Sequence, residues 1–213
     1  MSAERTPTIA VAITGASGAL YATRTLAALL SRGMHVELVI SDYGRRLLHD
    51  ELGEKATLER LMPYLAEKYG ADVERGTINL HSNRDLGATI ASGSHGCRGM
   101  VIVPCSMKTL AEVATGLGDS LISRAADVTL KERRRLVLVA RETPLSLVHL
   151  RNMTAATEAG AIVFPPVPAF YTVPASIDDM ITQTVGRILD LFDISVPGIR
   201  RWGEEIPAPG HHD

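Results

Sequence analysis

The sequence predicts a single α/β domain built on a doubly wound parallel sheet. Three observations predict it. Short apolar runs such as Thr8–Ile13 and Met100–Val103 are continuous rather than alternating, the pattern of strands covered on both faces. Each run is followed by a segment of helical periodicity, so strands and helices alternate along the chain. Two strand-to-helix junctions, Thr14-Gly15-Ala16-Ser17-Gly18 and Pro104-Cys105-Ser106-Met107-Lys108-Thr109-Leu110, combine glycine, hydroxyl and lysine residues. At such junctions free backbone N–H groups and the helix dipole favour an anion, so two of them in one small domain suggest a phosphorylated ligand.

The elements follow in order. Thr8–Ile13 is a central strand ending in glycine-rich sequence. Ala19–Ser31 has helical periodicity through Leu20, Leu26, Leu29 and Leu30, with Gly33 as a left-handed stop. His35–Ile40 is the second strand, and Ser41-Asp42 opens a helix reaching about Glu51. Glu59–Tyr69 reads as helical. Gly70–His95 is polar and glycine-rich, with a short strand expected at Ala88–Ala91. Met100–Val103 and Leu136–Ala140 are strands, separated by helices at about Ser106–Ala114 and Ser120–Lys131. Leu145–Glu158 is a helix, Ala161–Phe164 a strand and Ser176–Asp193 the last long helix. Ligands of such sheets bind at the carboxyl ends of the strands. Gly15–Gly18, Ser41, Pro104–Thr109 and Arg141-Glu142 should therefore converge on one edge.

With 213 residues and 46% hydrophobic content, the chain suits one domain over residues 1–213, with loose termini at 1–7 and 203–213. A net charge of −2 gives no electrostatic case for nucleic acid. The basic residues are 18 Arg against 4 Lys. Arginine suits bidentate phosphate contacts, although genomic base composition accounts for the bias equally well. Cys97 and Cys105 form no Cys-x-x-Cys pair, and no histidine cluster has metal-ligand spacing. Both thiols read as small buried groups in a reducing compartment. The polar start lacks an apolar signal core, and no stretch approaches the ~20 apolar residues of a membrane span. A cytoplasmic protein without metal is expected.

Among the candidate site residues, Gly15 and Ala16 allow close backbone approach, and Ser17 offers a hydroxyl at a helix start, unless it is an ordinary serine cap. The dinucleotide fingerprint G-x-G-x-x-G is absent, because Ser17 stands where its second glycine belongs; Asp42, as a ribose-binding acid, keeps that alternative open. Arg141-Glu142 ends a strand. An acid beside an arginine is usually a structural ion pair, but at the mouth of a parallel sheet it can protonate a leaving phosphate while arginine holds the charge. Lys131 is the one member of Lys131-Glu132-Arg133-Arg134-Arg135 with a possible ligand role. Tyr171, in a loop braced by Pro165, Pro166, Pro168 and Pro174, is a lid candidate or a packed surface aromatic. Arg187 reads as a helix-surface charge, and Trp202, the only tryptophan, as an exposed indole needing a partner surface.

Six runs in order carry a resemblance. They are T-G-A-S-G at Thr14, P-C-S-M-K-T-L-A at Pro104, R-A-A-D-V at Arg124, L-K-E-R-R at Leu130, R-E-T-P-L at Arg141 and P-A-F-Y at Pro168. From about Thr8 to Trp202 the chain resembles the UbiX family of flavin prenyltransferases. It departs at Asp119-Ser120-Leu121-Ile122, where the family usually has Asp-Asn-Leu-Ile.

The resemblance implies a Rossmann-like or flavodoxin-like fold and a homo-oligomer, a dodecamer, with FMN bound where subunits meet. It implies transfer of a dimethylallyl group from dimethylallyl monophosphate to N5 and C6 of reduced FMN, without metal. The prenylated FMN would serve a UbiD-type decarboxylase. Carried over, Gly15, Ala16, Ser17, Ser41, Ser106, Met107, Lys108, Thr109 and Arg141 would contact FMN. Lys131, Tyr171 and Arg187 would hold the allylic phosphate, with Arg124 a weaker charge contact. Trp202 would close the site in the assembly. Glu142 would be the acid, while Ser17 and Glu51 manage flavin protons. Two alternatives share the fold. An FMN-dependent cysteine decarboxylase usually has P-A-S-A-N-T where Lys108 stands here, and would need a catalytic histidine, His49 being nearest. A non-catalytic flavin-binding accessory subunit could dispense with Glu142, Tyr171 and Arg187, all of which are present.

Overall fold

The computed structural model describes residues 7–201. Six strands, β1 (Thr8–Ile13), β2 (His35–Ile40), β3 (Thr77–His81), β4 (Gly99–Cys105), β5 (Arg135–Ala140) and β6 (Ile162–Val163), form one sheet in the order β3-β2-β1-β4-β5-β6. Every pairing is parallel. The helices are α1 (Ala19–Leu30), α2 (Asp42–Leu52), α3 (Leu61–Tyr69), α4 (Met107–Thr115), α5 (Leu121–Lys131), α6 (Leu147–Glu158) and α7 (Ile177–Asp190).

The continuous apolar runs have the expected cause, because alternate residues of the central strands feed two separate cores. On one face Ile9, Val11, Ile13 and Val101 meet Leu26 and Leu30 of α1 and Val185 and Leu189 of α7. On the other, Ala10, Ala12, Ile102 and Leu138 meet Leu110 of α4 and Leu121 and Ala125 of α5. The chain winds outward from β1 to β3 and then crosses back to β4, so the winding reverses between β1 and β4. This strand order is the Rossmann one rather than the flavodoxin one.

Several boundaries differ from expectation. No strand forms at Ala88–Ala91; Thr89–Ala91 is a short 3-10 turn. The missing strand is β3, at the sheet edge, where most residues keep some exposure and no continuous apolar run is required. The expected helix from Glu59 begins as a 3-10 turn at Leu58–Arg60 and becomes α-helical only at Leu61. Helix α6 starts at Leu147 because Ser146 and His149 form a reciprocal cap after Pro144. Helix α7 stops at Asp190, and α1 closes on Ser31, with Gly33 taking its left-handed conformation in the turn that follows.

Candidate active site

The carboxyl ends of β2, β1, β4 and β5 lie side by side, so Ser41, Gly15–Gly18, Ser106–Thr109 and Arg141-Glu142 line one edge as expected. Three inter-strand spacings of ~4.8 Å make that row about 14 Å long. Thr14 ties its centre together at the winding reversal. Its amide and hydroxyl both donate to the Pro104 carbonyl, at 3.2 and 2.8 Å, and its Oγ1 accepts from the Ser106 amide at 2.8 Å. The β4–β5 register shifts at the same point, between Ile102 and Cys105. In the sequence Thr14 stands out only as the first letter of a motif. Its partners lie about 90 residues away, beyond any local pattern.

The residues of this edge divide by what occupies them. Gly15 packs so closely on Tyr43 that an added Cβ would stand 2.5 Å from the tyrosine Cβ. Ser17 is exposed and is not a cap: the N-cap of α1 is Gly18, and the Ser17 hydroxyl bonds nothing within the described residues. The α1 amino end is instead held by Glu51, reaching across from α2. Its carboxylate accepts from the amides of Gly18 at 3.1 Å and Ala19 at 2.8 Å, which places its charge against the positive end of the helix dipole. Ser41 caps α2 by accepting from the Gly44 amide at 3.0 Å. Ser106 caps α4, accepting from the Thr109 amide at 3.2 Å and lying 3.1 Å from the Thr109 hydroxyl. Met107 is buried, whereas Lys108 reaches out to Glu112 at 3.2 Å. Arg141 and Glu142 are exposed, and Glu142 accepts from the Thr143 amide at 2.9 Å.

Beside this row opens a cleft of about 580 Å³, lined by Asp42, Arg45, Ser82, Asn83, Arg84, Lys108, Asp119 and Ser120. Arg45 and Arg84 escaped the sequence reading because isolated arginines carry no motif. Asp42, the candidate ribose acid, lies 3.5 Å from Arg84. Ser120 forms a capping box with Ser123, and Asn83 completes the amino end of α5 by accepting from the Leu121 and Ile122 amides at 2.9 and 3.1 Å. Hydroxyls, helix-end amides and cations along one edge are a donor set suited to a phosphorylated ligand, and FMN fits that chemistry.

Other candidates lie apart from this edge. Helix α5 runs back to the amino end of β5, so Lys131 sits at the opposite end of the sheet from Ser106, about 20 Å away by strand length. Its ammonium pairs with Glu132. Arg187, in the last turn of α7, shares Asp190 with Arg201, at 2.5 and 2.7 Å. The Arg201 and Arg187 hydrogen bonds hold the Asp190 carboxyl below its ordinary range. Just beyond, Asp193 pairs with Arg135, the first residue of β5. Tyr171 lies in a 3-10 turn, Phe170–Thr172, whose Thr172 carbonyl accepts from Arg200 at 2.6 Å. The Arg200 amide donates to Gln183 at 2.8 Å, one turn before Arg187, which draws Tyr171 toward that stretch of α7. Arg124 pairs with Asp127 at 3.4 Å. Trp202 and the expected loose termini, apart from Pro7, lie outside the described residues.

One cluster had no sequence signal. Glu37, buried in mid-β2, meets His81 Nε2 at 2.5 Å, His95 Nε2 at 3.2 Å, His35 Nε2 at 3.3 Å and the Asn79 amide at 2.9 Å. Burial pushes its carboxyl upward, but hydrogen bonds from His81 and Asn79 and the charges of His81 and His35 bring it below its usual value. Among the described residues, no group of three or more His, Cys, Asp or Glu side chains is arranged to hold a metal ion. Likewise, no described helix is long and apolar enough to cross a membrane.

Comparison with known proteins gives this geometry a family. The Flavoprotein family model matches residues 2–195. The flavin prenyltransferase UbiX of Thauera aromatica is 46% identical over 194 residues, covering 91% of this chain and 93% of that protein. The chain belongs to the UbiX flavin prenyltransferase family. Among solved structures, AnUbiX (PadA1) in complex with FMN and dimethylallyl pyrophosphate is 46% identical, with a TM-score of 0.83, covering 94% of this chain and 100% of its own. A dodecameric FMN-dependent UbiX-like decarboxylase from Escherichia coli O157:H7 is 40% identical, with a TM-score of 0.78, covering 92% and 98%. Where the UbiX pattern usually places asparagine, this chain has the Ser120 cap, and Asn83 supplies a side-chain carbonyl to the same helix end.

Proposed function

We propose that the whole chain acts as one flavin-binding domain that transfers a dimethylallyl group from dimethylallyl monophosphate to N5 and C6 of reduced FMN. The observation that carries the reading is the meeting on one sheet edge of Ser17 and Glu51, the Ser106–Thr109 turn and the Arg141-Glu142 pair. Gly15, Ala16, Ser17, Ser41, Ser106, Met107, Lys108, Thr109 and Arg141 would hold FMN along this edge. Reduced FMN supplies the nucleophilic atoms, so no nucleophilic side chain is needed.

Loss of a monophosphate leaves concentrated negative charge. In this reading Arg141, Lys131 and Arg187 hold that charge, Tyr171 orients the phosphate, and Glu142 gives a proton to its leaving oxygen. Glu51, fixed by two amides beside Ser17, receives the proton released on ring closure through the Ser17 hydroxyl. Because Lys131 and Ser106 stand at opposite ends of one subunit's sheet, Lys131 can reach the flavin edge only from a second copy. A homo-oligomer, a dodecamer with shared sites, satisfies this requirement. The unpaired thiols Cys97 and Cys105 suit the reducing cytoplasm, where the product would pass to a UbiD-type decarboxylase.

The cysteine decarboxylase alternative has less support. His49 sits on the exposed face of α2, paired with Asp50 at 3.3 Å. The decisive experiment is anaerobic reduction of the protein with FMN and dimethylallyl monophosphate, followed by mass spectrometry of the flavin. Flavin heavier by one five-carbon prenyl unit is expected, and unchanged FMN would overturn the reading. Running the diphosphate in parallel tests the leaving group, with faster turnover of the monophosphate expected.

A further inference from the structure

The turn between α5 and β5 contains a feature that the proposed chemistry leaves unused. Arg133 adopts the left-handed conformation, φ 57°. The amide of Arg133 bonds the Leu130 carbonyl and that of Arg134 bonds the Thr129 carbonyl, each at 2.9 Å. This is the paired-bond helix ending that normally places glycine at the left-handed position. A side chain there is disfavoured by the clash of its Cβ with the backbone, and such backbone strain persists where the surroundings demand it.

The surroundings here are the turn at residues 93–95. The Arg134 guanidinium spans it as a fork, donating to the Gly93 carbonyl at 2.7 Å and to the His95 carbonyl at 2.9 Å. Planar arginine makes this two-pronged contact in a way lysine cannot. The His95 ring stands 3.2 Å from the Glu37 carboxylate on the far side. The Gly93 backbone in turn lies directly against the Lys131 and Glu132 head groups. A Cβ at Gly93 would run into the Glu132 carboxylate and stand 2.8 Å from Lys131 Nζ.

We infer that Arg134 is a positioning residue for the allylic phosphate: its fork holds the Gly93–His95 turn as the floor on which the Lys131 ammonium rests. The inference rests on the proposed phosphate role of Lys131. Arg134 itself touches carbonyls, not ligand.

The test is a double-mutant cycle on the purified oligomer. Arg134→Met should raise KM for dimethylallyl monophosphate about 10-fold with a smaller change in kcat, and weaken its affinity in calorimetric titration to the same degree. FMN affinity should stay unchanged, because in this reading Lys131 holds the allylic phosphate and not FMN. Arg134→Lys, which keeps the charge but loses the fork, should not restore KM. Combined with Lys131→Met, Arg134→Met should add nothing further. A raised KM in Lys131→Met but not in Arg134→Met overturns the Arg134 role alone, as do additive effects in the double variant or an equal loss of FMN affinity. An unchanged KM in Lys131→Met removes Lys131 from substrate binding, and the Arg134 role with it.

Discussion

At the scale of single residues, the candidate chemistry depends on groups with few local partners. Among the described residues Glu142 bonds the next amide in the chain and no other group, so replacing it should leave the FMN edge intact. Glu142→Gln should bind FMN normally yet form prenylated flavin about 100-fold more slowly, in the range of a lost general acid; single-turnover flavin spectra would read this, and a wild-type rate would remove the acid role. Ser17 caps nothing, so Ser17→Ala should fold normally and accumulate an incompletely cyclised flavin adduct, detectable by its absorption; normal four-ring product would exclude it. Glu37 makes a pH prediction. Its folded pKa is depressed, so its stabilisation is complete above the ordinary carboxylate range of ~4.3 and is lost as pH falls through the folded value. Urea unfolding between pH 3 and 7 should show wild-type stability falling on the acid side, with a shallower fall in Glu37→Gln.

At the scale of elements, the junction between β1 and the β4–α4 turn matters most. Thr14 is the buried link across it, satisfying the Pro104 carbonyl and the Ser106 amide together. Thr14→Val preserves shape but leaves the Ser106 amide without its acceptor, while the Pro104 carbonyl keeps only the backbone amide bond, and should cost about 1–3 kcal/mol in urea denaturation. Because Ser106 caps α4 and is one of the residues proposed to hold FMN, FMN affinity should fall in the same variant. Unchanged FMN binding would show that the turn holds its shape without Thr14. The helix starts at Ser41, Ser106, Ser120 and Ser176 were legible from sequence because a cap is a local event, three residues long, whereas the cap expected at Ser17 does not form. Thr14, Asn83 and the Glu51 cap were not, since each bridges elements that only the fold brings together.

At the scale of the whole molecule, the protomer leaves apolar side chains uncovered. Leu147 and Val148 of α6 are 60% and 61% exposed, Phe170 is 72% exposed, and Ile177 at the start of α7 is 68% exposed. Large exposed apolar groups at the start of a helix whose buried residues include only Ala156 mark a surface that another copy can cover. If the site is shared between copies as proposed, Val148→Asp should lower the assembly state in analytical ultracentrifugation and abolish prenyl transfer, because Lys131 would then lack a partner's flavin edge. An intact assembly with full activity would assign that surface no role in association.

The sequence by itself determined the fold class, most of the succession of helices and strands along the chain, and which residues gather at the carboxyl edge. Those features rest on local periodicity, capping and short runs of residues, which physical chemistry reads without knowing the fold. It misplaced β3, because an edge strand lacks the two-sided burial that produces a continuous apolar run. Only the tertiary structure decided the strand order, the gathering of His35, His81 and His95 around Glu37, and the separation of Lys131 from the Ser106 turn by the length of the sheet. These depend on the path by which the chain returns on itself, and no single stretch of residues encodes that path.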